Sequence, residues 1–126
     1  MDNALASLGV NAGKVYHEGN YELALEKFLY LSNHCDLGDK SQALYNCGTC
    51  CLKMHNYSKA LAYFKQSLFI RKEPKAFFNA AYTCVILFKM DLAKDYVEQA
   101  LKLDPNDTES VKLKYRLDKA LNADKE

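Results

Sequence analysis

The stretch NYSKALAYF, residues 56–64, decides the fold of this chain because the chain contains it more than once. An earlier copy, NYELALEKF, occupies residues 20–28 and keeps tyrosine, alanine, leucine and phenylalanine at the same offsets. A weaker copy, MDLAKDYV, occupies residues 90–97, with methionine, alanine and valine at the positions of tyrosine, alanine and phenylalanine. A period in the mid-thirties with a large, a small and again a large residue at fixed offsets indicates a helical repeat protein.

The small residue of each copy, Ala24, Ala60 or Ala93, allows two helix backbones to approach closely, while large neighbours fill the space around the contact. We therefore predict an all-α superhelix, an α-solenoid of three helix-turn-helix repeats followed by a C-terminal capping helix. The chain is predicted to be a single domain over residues 1–126. Its repeats cover about 5–38, 41–74 and 74–107, and its capping helix about 108–121.

Hydrophobic spacing, glycine and proline place the limits of seven helices. Pro74 suits the first turn of the fifth helix, where its missing N–H group is not needed. Gly19 and Gly38 are expected to follow the ends of the first two helices, whereas Gly9 and Gly13 lie inside the first. The last helix carries Val111, Leu113, Tyr115 and Leu117 among many charges and should cover the end of the array. The predicted spans are about 3–17, 21–35, 40–54, 57–70, 74–88, 91–103 and 108–121.

The composition and net charge exclude several classes of protein and of partner. The 126 residues are 49% hydrophobic, which excludes intrinsic disorder, and the net charge of +1 gives no field that would attract nucleic acid or an acidic membrane. No apolar run approaches the ~20 residues of a membrane span, and the N-terminus lacks the basic and apolar blocks of a secretory signal. Five cysteines without framework spacing indicate free thiols in a reducing cytoplasm.

With the repeats located, the chain resembles the tetratricopeptide repeat family. The resemblance implies a right-handed superhelix of antiparallel helix pairs, in which the first helix of each pair lines a concave groove that binds an extended peptide. It rests on three sets of residues: Leu8, Ala12, Gly19, Tyr21, Ala24 and Phe28; Leu44, Cys47, Gly48, Tyr57, Ala60 and Phe64; and Phe77, Ala80, Ala81, Ala93, Val97 and Ala100.

A narrower resemblance lies in the run RKEPKAFFNAA, residues 71–81, which is similar to a stretch of the type III secretion translocator chaperones. Residues 44–53 also look like the second repeat of that group. The resemblance implies a cytoplasmic chaperone that holds a hydrophobic, pore-forming translocator subunit before export. Members carry an N-terminal helical segment used in dimerisation ahead of the first repeat. Here the first repeat begins almost at Met1, so a homodimer is left open.

Ten residues on the first helices of the repeats are the candidates for binding a peptide. Most are aromatic or aliphatic, and apolar groups facing a groove suggest anchor pockets for a partner's side chains. Alternatively, the last helix folds over and buries some of them. Gly9 and Gly13 face the same groove, where bare backbone would admit a bulky ligand side chain. Alternatively, the two glycines are sequence variation without a function in a terminal repeat. The ten are Tyr16, Tyr45, Asn46, Thr49, Leu52, Lys75, Phe78, Asn79, Tyr82 and Val85.

Another use of the family, the carboxylate clamp for the acidic C-terminus of heat-shock proteins, is not expected. A clamp needs five cationic or amide side chains, because a desolvated carboxylate pair must be paired. Asn46 and Lys75 fit, but Gly9 and Gly13 replace a lysine and an asparagine, and Asn79 replaces an arginine.

Enzymatic, metal and nucleic-acid roles are weakly supported. Cys47 and Cys50 form a Cys-x-x-Cys in mid-helix, whereas a redox thiol is expected exposed at a helix start with a lowered pKa, so we predict buried cysteines acting as small hydrophobes. His34, Cys35 and His55 lie at opposite ends of their helices and do not form a zinc site. Acidic residues interleave the basic ones of the last helix. We expect no enzyme, no cofactor and no nucleic-acid partner.

Three hypotheses remain. The first is a binding module, a chaperone that holds an extended hydrophobic segment in its groove. The second is a scaffold that docks a folded partner through its convex face or its ends, which exposed apolar residues such as Tyr63 and Phe69 would favour. The third is an enzyme that uses the cysteine cluster, which thiol titration of the native protein would test.

Overall fold

The computed structural model describes residues 2–123, and in that range it contains seven helices and no strand. The limits of the first and fourth helices are those predicted, and the other helices begin and end within three residues of the prediction. Residues 1 and 124–126 of the predicted domain lie outside the described part. The helices are α1 (Asn3–His17), α2 (Tyr21–His34), α3 (Leu37–Lys53), α4 (Tyr57–Ile70), α5 (Pro74–Ile86), α6 (Met90–Leu103) and α7 (Thr108–Ala123).

The helices form two compact units, with the boundary between Arg71 and Lys72. In the first unit, α1 packs on α2, α2 on α3 and α3 on α4. In the second unit, α5 packs on α6, α6 packs on α7, and a few residues of α5 also approach α7.

The alanines of the repeats lie at the helix contacts, as predicted. Ala24 and Ala60 of the first unit and Ala93 of the second are completely buried. In the first unit Phe64, also completely buried, lies against the bare backbone of Gly48, where a Cβ atom would stand 2.5 Å from the ring. Since real Cβ atoms do not approach carbon so closely, this contact requires glycine.

The start of α3 differs from the prediction. Gly38 was expected to follow α2 as a helix stop, with α3 beginning near Lys40, but α3 begins at Leu37 and contains Gly38. The reason is Asp36, whose side chain accepts a hydrogen bond from the Asp39 N–H group and caps the helix. An N-cap carboxylate offsets the weak helix propensity of one glycine in the first turn.

The same turn joins the two helices of each repeat, and one residue in each turn has positive φ. It is Gly19 (φ 87°) between α1 and α2, His55 (φ 61°) between α3 and α4, and Phe88 (φ 59°) between α5 and α6. In each case the N–H group of the next residue bonds to a carbonyl five residues back, as in Asn20 to Val15 at 3.1 Å. This geometry is the glycine-favouring helix end, adopted twice without glycine.

The buried face of α7 differs from the one expected from its apolar residues. Ser110 and Leu117 are buried, whereas Val111 and Tyr115 are 48% and 60% exposed. Asp107 accepts hydrogen bonds from the Ser110 N–H and hydroxyl groups, so the buried hydroxyl of Ser110 has a polar partner at the start of the helix. Leu117 lies two turns further along the same face.

Candidate functional site

A cavity of about 400 Å³ opens in the first unit between α1, α2 and α3. Four of the ten predicted peptide-binding residues line it together, Tyr16 from α1 and Tyr45, Asn46 and Thr49 from α3. Gly9, Gly13, His17 and Phe28 complete the lining. The structure therefore brings the candidates of the first two repeats, except Leu52, to one concave place.

Helix spacing explains this convergence. Gly9, Gly13 and Tyr16 follow one another at four and three residues along α1, and Tyr45 and Thr49 are four residues apart on α3, so each set lies on one helix face. The Tyr16 ring meets Tyr21 edge-on with centroids 5.3 Å apart, and the Tyr45 ring lies 5.7 Å from Phe64. The aromatic walls are thus held by neighbouring rings.

The polar groups of the cavity come from α3. The Asn46 Oδ1 atom accepts a hydrogen bond from Gln42 Nε2 at 3.1 Å, and the Thr49 hydroxyl donates to the Asn46 carbonyl at 2.9 Å. Among residues 2–123, the two N–H donors of the Asn46 amide make no hydrogen bond. A ligand group that enters the cavity would therefore meet amide donors and the acceptor lone pairs of a hydroxyl.

The candidates of the second unit lie along α5. Phe78 and Tyr82 stack with their ring centroids 6.4 Å apart at 25°, and Tyr82 is 47% exposed. Phe78, Asn79 and Val85 are half-buried, and Lys75 is exposed, with its ammonium 3.8 Å from the Glu73 carboxylate. α7 packs mainly on α6, so within this unit it does not fold over and bury the Phe78–Tyr82 pair.

The cysteines are placed as predicted. Cys47, Cys50, Cys51 and Cys84 are completely buried, and Cys35 is half-buried. Burial raises the pKa of the Cys47 and Cys50 thiols to about 12, helped by the neighbouring cysteines. A thiol with so high a pKa is not a nucleophile near neutral pH, since the thiolate is the reactive form.

Two residues of the cavity were missed by the sequence analysis. Phe28 was assigned to the core, where it is buried to 6% exposure, but its edge also reaches the cavity. His17 was regarded as a solvated or capping residue beside the groove, and it is indeed exposed while lining the mouth. Their positions could have identified both residues, because His17 follows Tyr16 in the chain and Phe28 lies on the helix that faces Tyr16.

The two residues of the second helices that would favour a scaffold differ in their exposure to solvent. Phe69 of α4 is 93% exposed, whereas Tyr63 is half-buried. Burial also raises the pKa of the Tyr63 hydroxyl.

Residues 74–107, which comprise α5, α6 and the turn after them, match the family model of the tetratricopeptide repeat. This is the tetratricopeptide repeat fold. No curated protein sequence matches the chain.

Several solved structures resemble the chain over almost its whole length. The Yersinia enterocolitica type III secretion chaperone SycD, in complex with a peptide of the translocator YopD, is 26% identical over 100% of this chain and 98% of its own, with a TM-score of 0.81. PcrH from Pseudomonas aeruginosa is 22% identical over 98% and 92%, with a TM-score of 0.76. The first repeat domain of Spaghetti (RPAP3), bound to the HSP90 peptide SRMEEVD, is 18% identical over 94% and 93%, with a TM-score of 0.87.

Two of these neighbours, SycD and the Spaghetti (RPAP3) domain, were solved with a peptide of another protein bound. Within residues 2–123, no helix is both long and apolar enough to cross a bilayer. The same residues contain no group of three or more histidine, cysteine or acidic side chains placed to hold a metal ion.

Proposed function

We propose that this tetratricopeptide repeat chain is a cytoplasmic chaperone or adaptor of the kind that serves type III secretion, and that it binds an extended hydrophobic segment of a translocator-like partner. The binding residues are the ten candidates predicted from the sequence. The observation that carries the proposal is the preformed cavity of the first unit, where four of those ten residues meet.

The lining of the cavity suits an apolar or amphipathic chain better than an acidic C-terminus. None of its eight residues is Asp, Glu, Lys or Arg, and two are glycines at positions where a carboxylate clamp would carry cation or amide groups. A buried carboxylate without such partners would lose its hydration without compensation. The resemblance to SycD, which was solved with a translocator peptide, supports the same choice of ligand.

The second unit offers a further apolar surface. The stacked pair of Phe78 and Tyr82 leaves aromatic area uncovered on α5, with Val85 one turn further along. Rigid aromatic side chains lose little conformational entropy on binding, so most of the ordering falls on the ligand. This surface therefore supplies aromatic anchor positions for apolar side chains of a bound segment.

Calorimetric titration with synthetic peptides from hydrophobic translocator segments tests the proposal. We expect dissociation constants in the micromolar range or tighter, which correspond to a binding free energy of about −8 kcal/mol or better. Replacing Phe78 or Tyr82 by glutamate should weaken binding at least about ten-fold, because a carboxylate would be buried against apolar ligand groups.

Phe69→Glu is the matched control, since Phe69 is exposed and lies on a second helix outside the candidate site. It should bind peptides as the parent chain does, and thermal melts of all three variants report whether they fold. Unchanged affinity in folded Phe78→Glu and Tyr82→Glu proteins would overturn the proposal.

A second candidate function rests on Phe69. The Phe69 side chain is 93% exposed on α4, so a folded partner that covers it would make the chain a scaffold or assembly subunit. In that case Phe69→Glu abolishes co-purification with the partner, and no translocator peptide binds the parent chain.

We also propose that a homodimer, if formed, is separable from peptide binding. One solved form of SycD, 26% identical to this chain, is described as an alternative dimer. Sedimentation of the chain with and without a bound peptide measures its mass directly, and we expect the same oligomeric state in both measurements.

A further inference from the structure

The glycines of the cavity are not explained by packing. A Cβ atom built at Gly13 would meet no atom within 4 Å, and one built at Gly9 would meet only the Leu31 Cδ1 atom at an ordinary 3.7 Å. Neither has positive φ, which among the described glycines occurs at Gly19 alone. Each glycine weakens α1 by up to about 1 kcal/mol relative to alanine. What the two glycines preserve is open space above the helix backbone.

That space is bounded by aromatic rings. Tyr16 stands beside Gly13 on α1, Tyr45 faces it from α3, and the edge of Phe28 reaches the cavity from α2. Aromatic rings pair best edge-to-face or offset-stacked at centroid distances of roughly 4.5–7 Å. A further ring inserted between these walls would therefore gain more binding free energy than an aliphatic side chain of similar area.

The polar groups of the cavity select among aromatic rings. The Asn46 amide has two N–H donors without a partner among residues 2–123, and the Thr49 oxygen keeps acceptor lone pairs because its hydrogen is given to the Asn46 carbonyl. These groups suit a ring that ends in a hydroxyl or carries an N–H group, and the lining contains no Asp, Glu, Lys or Arg to suit an ion.

We infer that the Gly9–Gly13 cavity is a specificity pocket for one large aromatic side chain, tyrosine or tryptophan, of the bound segment. This inference rests on the proposed function for the identity of the ligand as a peptide. The pocket itself can be tested without any translocator sequence.

The test uses N-acetyl-tryptophan amide and N-acetyl-leucine amide as probes, with the full chain observed by ¹H–¹⁵N NMR. The tryptophan probe should shift the amide signals of Gly13, Asn46 and Thr49 and should bind at least about five-fold tighter than the leucine probe. Gly13→Leu fills the open space and should abolish these shifts, and Gly13→Ala should reduce them.

Val10→Leu is the matched control, because Val10 is 77% exposed, does not line the cavity and also receives a leucine. It should retain the shifts of the parent chain. Equal binding of the two probes, or full binding to the folded Gly13→Leu and Gly13→Ala proteins, would overturn the pocket.

The same variants separate this inference from the proposed function. If the tryptophan probe binds in the cavity but no translocator peptide binds the chain, the pocket stands and the proposed function fails. If such a peptide binds the parent chain and Gly13→Leu equally well, and the probe does not bind, the function stands and the pocket fails.

Discussion

The contact between α3 and α4 and the cavity beside α1 each contain a glycine in the middle of a helix, but the space above the two glycines differs. Over Gly48 the Phe64 ring would lie 2.5 Å from a Cβ atom, whereas over Gly13 there is no atom within 4 Å. The same residue type thus serves close packing in one place and leaves a surface open in the other. Residue type alone does not reveal which role a small residue has, since both positions lie in a small-residue pattern on a first helix.

The largest change in stability is expected for Gly48→Ala. The added methyl group collides with a fully buried ring, so we expect a loss of about 2 kcal/mol in the free energy of unfolding, despite the better helix propensity of alanine. Urea unfolding followed by circular dichroism measures it. In a Phe64→Leu background the same change should be nearly neutral, and equal losses in both backgrounds would refute the assigned contact.

The buried Cys47 thiol, next to Gly48 in the chain, is expected to make the stability of the protein depend on pH. Burial raises the pKa of Cys47 from its ordinary value of 9.0 to about 12. Above pH 9 the unfolded chain releases this proton while the folded chain keeps it, so stability falls as pH rises, and the loss reaches about 1.4 kcal/mol at pH 10.

Urea unfolding at pH 7 and pH 10 checks this expectation, with Cys47→Ala as the comparison. The variant should lose less stability than the parent chain between the two pH values. If the two proteins lose the same amount of stability, the Cys47 thiol is not shielded from solvent as the structure indicates.

Ellman titration of the native protein should find Cys35 alone reactive, and the other four thiols should react only after unfolding.

The turns extend the comparison to backbone conformation. Gly19→Ala places a side chain at φ 87° and should lower the free energy of unfolding by about 1 kcal/mol, whereas Phe88→Gly removes a side chain from φ 59° and should raise it by a somewhat smaller amount. Phe88 is 85% exposed, so little burial is lost. Thermal melts of both variants measure the shifts, which should have opposite signs.

The smallest expected effect is that of Gly13→Ala. Because the added methyl group meets no atom and improves helix propensity, the free energy of unfolding should rise by about 0.7 kcal/mol. Urea unfolding beside Gly48→Ala tests the contrast directly, since the same substitution should stabilise one helix and destabilise the other. A loss of stability at Gly13 would show that its open space is occupied in the folded protein.

Most of the helix limits followed from the sequence because local signals set them. The limits of α1 and α4 are marked by hydrophobic spacing and by polar or glycine-containing turns. Gly38 was misread as a helix stop because the competing signal, the Asp36 side chain that caps α3, lies two residues earlier and prevails over one weak helix former.

The candidate site was predicted in part. Tyr16, Tyr45, Asn46 and Thr49 share helix faces that the repeat pattern turns to one side, and they do line one cavity. Phe28 was missed because a residue can be 6% exposed and still present an edge to a cavity. In α7, Val111 and Tyr115 are exposed although they are apolar, and the buried residues are Ser110, which is hydrogen-bonded to Asp107, and Leu117.

The repeat, the helix order and most of the buried positions followed from the sequence, because a period in the mid-thirties and the helical spacing of apolar residues are properties of neighbouring residues along the chain. Only the tertiary structure decided which small residue is covered and which is open. That distinction depends on where the rings of other helices lie in space, such as Phe64 over Gly48 and none over Gly13.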